Sequence, residues 1–182
     1  MSTQMDDDES DLLARARAHD PDAWEAIYRR AYPGLVAVAR RRLATREQAD
    51  DAVSEVIARA IGAVDRLTLG AAGIDGWLYG ILRNVVLETY RVRPPVAEPV
   101  VDPAAPDRGP LERVVAGEEA TLVRRAFSRL PDSDREVLEL RVVAGLGSEA
   151  VGEVLGKRSG AVRMAQARAL GRLRANLQEA GA

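Results

Sequence analysis

Between Leu130 and Arg174 runs LPDSDREVLELRVVAGLGSEAVGEVLGKRSGAVRMAQARALGRLR, a segment whose punctuation leaves few folds open. Its apolar residues recur three and four apart, and the runs are cut at Pro131, at Gly145 and Gly147, and again at Gly156. This spells a helix, a tight turn, a short helix, a second turn and a longer, arginine-studded helix. Such an arrangement presents a helix to the major groove of DNA. Asp132 or Ser133 is the expected cap of the helix carrying Val137, Leu138, Leu140 and Val142. The short helix turns Val151, Val154 and Leu155 inward, and Gly152 falls where two segments must approach closely. Gly156 suits a left-handed turn, and Ser159 is the expected cap of the last helix.

On that last helix Val162, Ala165, Ala169 and Leu173 form the inward stripe, with Leu170 and Leu177 beside it. The opposite face carries Ala161, Arg163, Met164, Ala167, Arg168 and Arg172, and the Lys157-Arg158 pair lies near the helix start. The candidate DNA-contact set is therefore Lys157, Arg158, Ser159, Ala161, Arg163, Met164, Ala167 and Arg168. Arg163 is assigned a base or phosphate contact, and Ala161 or Met164 a thymine methyl. For any single arginine, a merely solvated helix surface is the competing reading.

The rest of the chain is helical in pattern as well. Aromatic residues make up only 4% of 182 residues, and alternating β-branched runs are scarce. Residues 1–10 are polar and acidic and read as disordered. Ser10 is a candidate cap for a helix through Leu12, Leu13 and Ala16, Asp20-Pro21 starts a second, and Pro33 a third through Leu35 and Leu43. Thr45 caps a helix striped by Ala49, Val53, Val56, Ile57, Ala60 and Val64. After a glycine-rich loop from Leu67 to Gly76, the helix of Trp77, Leu78, Ile81, Leu82, Val85 and Val86 closes the unit. Six of the nine prolines then fall between Val92 and Pro110, with Glu98, Asp102 and Asp107 among them. That composition predicts an extended linker, reaching about 60 Å in polyproline geometry and long enough to hold two domains well apart. Beyond it, Leu122, Val123, Ala126 and Phe127 form one apolar face.

The expected fold class is thus all-α: an acidic head (1–10), a helical bundle (11–91), a Pro-rich linker (92–111) and a helix-turn-helix domain (112–182). The chain has no cysteine, which excludes disulfides and thiolate metal sites, and no cofactor is implied. No apolar run approaches a membrane span, so a cytoplasmic protein without membrane insertion is expected. The net charge of -2 hides a segregation, with Asp6, Asp7, Asp8, Glu9 and Asp11 at the head and Arg40, Arg41, Arg42 and the terminal helix basic. A weak solo DNA binder working inside a larger machine fits this better than an independent repressor.

Taken in order, these motifs resemble bacterial extracytoplasmic-function (ECF) sigma factors. Leu130-Pro131, Arg135-Glu136-Val137-Leu138, Gly145, Leu155-Gly156 and Gly160-Ala161-Val162-Arg163 are similar to the family's region 4. Asp50-Asp51 through Ser54-Glu55, with Arg59, resembles the polymerase-binding helix of region 2, and Gly76-Trp77-Leu78-Tyr79 through Asn84 the segment that melts the −10 element. The resemblance implies core RNA polymerase as partner, through the clamp helices of β′ and the flap of β, together with promoter DNA and an anti-sigma factor. It places polymerase contact on Asp51, Ser54, Glu55 and Arg59, −35 contact on the set above, and −10 contact on Arg83, Asn84, Arg91 and Arg93, while the loop Leu67 to Asp75 receives a flipped base. The linker carboxylates resemble the family's acidic linker, which threads the polymerase; a solubilising spacer is the alternative. Where the family usually carries Thr-Val-Lys-Ser-Arg, this chain has Ala161-Val162-Arg163-Met164-Ala165, so its −35 preference does not carry over.

Two other classes compete: a two-domain regulator with a LuxR-type reader, and a helical adaptor that binds only protein. An enzyme is the weakest candidate. His19 is the only histidine, beside Asp20-Pro21 in a polar turn, and no nucleophile or phosphate loop accompanies it.

Overall fold

The computed structural model describes the backbone of residues 2–92 and 110–180, and side chains within 7–91 and 119–180. All its regular elements among these residues are helical. The first unit comprises α1 (Ser2–Arg17), α2 (Pro21–Arg42), α3 (Arg46–Ala63), a 3₁₀ turn (Val64–Arg66) and α4 (Gly73–Val92). The second comprises α5 (Pro110–Ser128), α6 (Asp132–Leu138), a π-helical turn (Glu139–Val143), α7 (Ser148–Leu155) and α8 (Ser159–Ala180). Of the proposed linker, Val92 ends α4 and Pro110 and Leu111 begin α5, while residues 93–109, with the three carboxylates, lie outside the described residues.

Local chemistry sets several of these boundaries. Asp20 caps α2 by accepting from the Asp22 N–H at 2.9 Å, with Pro21 in the first turn where its missing donor costs nothing. Thr45 caps α3 through the Gln48 N–H, while the Gln48 side chain reaches back to the Ala44 N–H. Gly156 adopts φ +64° at the end of α7, the left-handed conformation that closes the turn before α8. Gly152 is required for a different reason: a Cβ there would stand 2.5 Å from the Lys157 carbonyl oxygen.

Four expectations are corrected. Residues from Ser2 onward belong to α1, and Ser10 sits inside it; Leu13 and Ala16 are buried and Glu9 docks on the start of α4, which anchors the helix. Pro33 does not start a helix but lies within α2. Its cost of about 3 kcal/mol is offset by burial on both sides, from Ile27 and Ala31 to Leu35 and Val36. Neither Asp132 nor Ser133 caps α6; the cap position is Pro131, in extended conformation, and both residues stand in the first turn. Finally, Leu122 and Val123 are exposed, and α5 packs on α8 through Ala126, whose carbonyl accepts from Asn176.

The larger correction concerns the two units, which are not held apart. One apolar cluster runs from Leu35, Val53, Leu78 and Leu82 of the first unit to Val137, Leu140, Ala150 and Val151 of the second. α4 packs on α7, and α2 on the π-helical turn. A smaller cluster of Leu130, Leu138 and Ala169, with Phe127 and Leu173, holds α8 onto α6.

Candidate polymerase and promoter interfaces

Three faces carry the residues singled out by sequence. The first is a cleft between α3 and α4, lined by Asp51, Glu55 and Arg59 on one side and Val85, Glu88 and Thr89 on the other. Helical spacing puts Glu55 one turn before Arg59, whose Nε donates to the Glu55 carboxylate at 2.7 Å. The same guanidinium forks onto both oxygens of Glu88, at 3.0 and 2.7 Å. Those hydrogen bonds raise the Arg59 pKa and hold the Glu88 carboxyl below the usual carboxylate range. Asp51 is exposed. Ser54, also exposed, turns its hydroxyl back to the Asp50 carbonyl at 3.0 Å, so it is engaged with its own helix rather than free. Glu88 is a member of this face that sequence reading missed, since its partner lies 29 residues away on another helix.

The second face belongs to α4 and the loop before it. Asn84 and Arg91 are exposed; Arg93 lies outside the described residues. Trp77 is half-buried and packs against the core, as its helical spacing suggests. The loop is shorter than expected, because α4 already begins at Gly73. A groove of about 380 Å³ runs along it, walled by Leu67, Gly70, Trp77 and Asn84 and closed by Glu153 and Val154 of α7. The loop's amides are taken by carboxylates: Ala71 and Ala72 donate to the two oxygens of Glu153 at 2.8 and 3.0 Å, and Ile74 to Glu9 at 2.9 Å. Arg83 is not open to solvent on all sides but donates to Glu136 of α6 at 2.7 Å.

Deeper in the same seam, Arg42 pairs with Glu139 at 2.5 Å, and Glu139 is only 2% exposed. Burial raises the Glu139 carboxyl above its ordinary value, with Arg42 pulling the other way. The Tyr90 hydroxyl donates to the Arg42 carbonyl, and burial raises that phenol too. Sequence marked Arg42 only as part of a basic run and Glu136 only within the region 4 motif, and Glu139 and Glu153 not at all, because no local pattern connects partners this far apart in the chain.

The third face is the start of α8. Lys157, Arg158, Ala161, Arg163, Met164, Ala167 and Arg168 are all exposed, and Ser159 is half-buried as the first residue of the helix. The stripe beneath them is buried as expected at Val162, Ala165 and Ala169, whereas Leu170 is exposed. Arg163 reaches Ser148 Oγ at 3.3 Å, which ties the reader helix to the start of α7. Met164 is 61% exposed, an apolar side chain held out to solvent. Arg172 leaves this face: it donates to the buried Asp134 at 2.5 Å and fastens α8 to α6.

Comparison with known proteins places these faces in a family context. Residues 27–93 match the model of sigma-70 region 2, and residues 126–175 that of sigma-70 region 4. The chain is 33% identical over 178 residues to the ECF RNA polymerase sigma factor SigD of Mycobacterium tuberculosis, covering 93% of this chain and 84% of that protein. It is 31% identical over 187 residues to the ECF sigma factor ShbA of Streptomyces griseus, covering 94% and 98%. Its fold is similar to that of CnrH, solved in complex with the cytosolic domain of CnrY, with a TM-score of 0.69 at 24% identity over 92% of this chain and 96% of that one. It is similar too to RpoE of Bartonella quintana, solved with the anti-sigma factor NepR, with a TM-score of 0.68 at 21% identity over 85% and 96%.

Proposed function

The chain belongs to the ECF RNA polymerase sigma factors, which direct transcription initiation and are not a class of enzymes, and from that premise we propose how its three faces divide the work. The α3–α4 cleft docks on the clamp helices of the polymerase β′ subunit, with Asp51 and Glu55 presented outward and Glu88 held beside them by Arg59. The exposed start of α8 reads the −35 element, Arg163 from the major groove and Lys157 and Arg158 on phosphates. The α4 face, with Arg83, Asn84 and Arg91, takes the −10 element, and the loop from Leu67 receives an unstacked base. The flap of β is the proposed contact of the second unit. The chain works in the cytoplasm; among the described residues no helix is long and apolar enough to cross a membrane. A further partner is an anti-sigma factor, as NepR is for the structural neighbour RpoE.

The observation that supports this reading is that the α3–α4 cleft lies within the region 2 match and the exposed start of α8 within the region 4 match. Receiver-type regulation has no support in the first unit, where the described residues form helices alone. The test is initiation by core polymerase on a matched promoter with the purified chain added. Specific transcripts are expected, and the double variant Asp51→Lys/Glu55→Lys should lose core affinity. Unchanged core binding by that variant refutes the assignment of the cleft.

A further inference from the structure

The buried stripe of α8 is shallow. Val162, Ala165 and Ala169 are its buried residues, and two of these three offer only a methyl group to the elements beneath. Such a stripe lets α8 lie close on α6 and α7, but it supplies no large side chain to fix the rotation of the helix about its own axis. Rotation matters at a groove. With a helix radius of about 5–6 Å, side chains included, a roll of ~10° carries a side-chain tip by about 1 Å. A hydrogen bond to a base edge tolerates a spread of only about 0.5 Å.

Polar bonds at three levels of α8 supply what the stripe lacks. Near its start Arg163 reaches Ser148, and further on Arg172 holds Asp134. Between them Arg141, from the π-helical turn, donates through Nε to Gln166 Oε1 at 2.9 Å and through Nη1 to the Leu146 carbonyl. One planar guanidinium thus joins its own turn, the connection leading into α7, and α8. The connection is held from its other side as well, where the Leu146 N–H donates to the Leu140 carbonyl at 3.0 Å. Arg141 and Gln166 are both half-buried, and Gln166 stands one turn after Val162, at the edge of the buried stripe. Of the other two levels, Arg163 is itself assigned to DNA, and Arg172 lies beyond the part of α8 assigned to the groove.

We infer that Arg141 is a positioning residue for −35 recognition: held between Gln166 and the Leu146 carbonyl, it sets the roll of α8, and so which base edges the exposed face can reach, without itself touching DNA. The consequence for DNA rests on the assignment of α8 as the −35 reader given above; the bracket itself rests on the two hydrogen bonds. A positioning role differs in its effects from a direct phosphate contact by Arg141. Loss of a phosphate contact weakens all duplexes alike and lowers the slope of log affinity against log salt by about one. Lysine repairs it, since an ammonium binds phosphate as a point charge. Loss of the bracket instead lowers discrimination between duplexes and leaves the salt slope unchanged. Lysine does not repair it, because a single ammonium lacks the fork that spans both oxygens. Removing Gln166, which has no charge to offer a phosphate, reproduces it.

The experiment uses the full-length chain and a −35 duplex that the unsubstituted chain selects from a randomised pool. Affinity is measured for that duplex and for the same duplex with one base pair changed, over a range of salt. The variants are Arg141→Met, Arg141→Lys, Gln166→Leu and the double Arg141→Met/Gln166→Leu. A single wrong base pair costs about 5- to 150-fold in a specific site. The ratio of matched to changed affinity should fall about fivefold in Arg141→Met and Gln166→Leu, and clearly in Arg141→Lys, with the salt slope of the unsubstituted chain. The double variant should fall no further than Arg141→Met alone, because both changes remove one shared bond. Full discrimination in Arg141→Lys or in Gln166→Leu overturns the positioning role, and these two variants decide the matter even where Arg141→Met does not fold. A salt slope lower by about one in Arg141→Met overturns it as well, in favour of a phosphate contact. Arg163→Ala separates the bracket from the reading on which it rests. If Arg163→Ala lowers discrimination while Arg141→Lys and Gln166→Leu do not, the reader stands and the bracket has failed. If all three leave discrimination untouched, the assignment of α8 as the −35 reader has failed, and the role of Arg141 falls with it.

Discussion

Replacing Gly152 with alanine tests whether the turn between α7 and α8 has any slack. On helix propensity alone the change should help, since alanine is favoured over glycine in a helix interior by about 0.8–1.0 kcal/mol. The geometry opposes it. The new Cβ would lie 2.5 Å from the Lys157 carbonyl oxygen, whereas ordinary contact begins near 3.4 Å, and the obstacle is backbone rather than a flexible side chain. That backbone is pinned from both ends. The Lys157 N–H donates to the Gly152 carbonyl at 2.7 Å, and Gly156 holds the left-handed turn between them. Relieving the overlap means moving the turn by most of an ångström, an overpacking cost of about 1–3 kcal/mol. Set against the propensity gain, the expected net loss is about 0–2 kcal/mol, or at the upper end a melting temperature lower on the order of 5 °C. Gly62→Ala and Gly171→Ala are the controls, since both positions are helical with open space around them, and both should be neutral or stabilising. The assay is urea unfolding at constant m-value, with −35 duplex binding as the functional readout, because a shifted turn re-aims α8. If Gly152→Ala stabilises the chain as much as the two controls do, the tight-turn argument is wrong.

Other expectations are more local. Thr45→Ala removes the side-chain cap of α3 and should cost about 1 kcal/mol in the same urea assay, whereas Thr45→Ser should cost less. Arg163→Ala should lower initiation from promoters that depend on their −35 element and leave core binding unchanged; an unaltered promoter profile would remove Arg163 from the reader. The Asp20 carboxyl is held below its usual 3.8 by the Arg15 hydrogen bond and the Asp22 N–H, so its contribution is present above that value and is lost as pH falls through the depressed pKa. Asp20→Asn keeps the cap but not the charge. Its melting temperature should trail the unsubstituted chain near pH 6 and converge with it in acid, and a gap that persists in acid would contradict the linkage.

How far the sequence could be read follows from the range of the forces involved. Caps at Asp20 and Thr45, the left-handed Gly156 and the tight approach at Gly152 depend on atoms a few residues apart, and all four are present. Pro33 shows where local rules fail: its penalty is local, but the burial of Leu35, Val36 and Val38 beyond it is not. The exposed face of α8 was legible because a 3.6-residue period fixes what lies opposite Val162, Ala165 and Ala169. Arg172 was misplaced on that face, since nothing nearby in sequence announces the buried Asp134 that claims it.

Sequence alone therefore determined most of the helices, their two-unit grouping and the family to which they belong, because periodicity, capping and motif order are short-range properties. Tertiary structure alone decided which surfaces meet. Arg83 pairs with Glu136 across 53 residues, Ala71 with Glu153 across 82 and Arg42 with Glu139 across 97, and each pair joins one unit to the other. A helical pattern says which side of a helix is apolar or charged; it holds no information about which distant charge will be brought opposite. That choice is made when two surfaces pack, through complementary shape, shared apolar burial and the cost of leaving Glu139 buried without a partner.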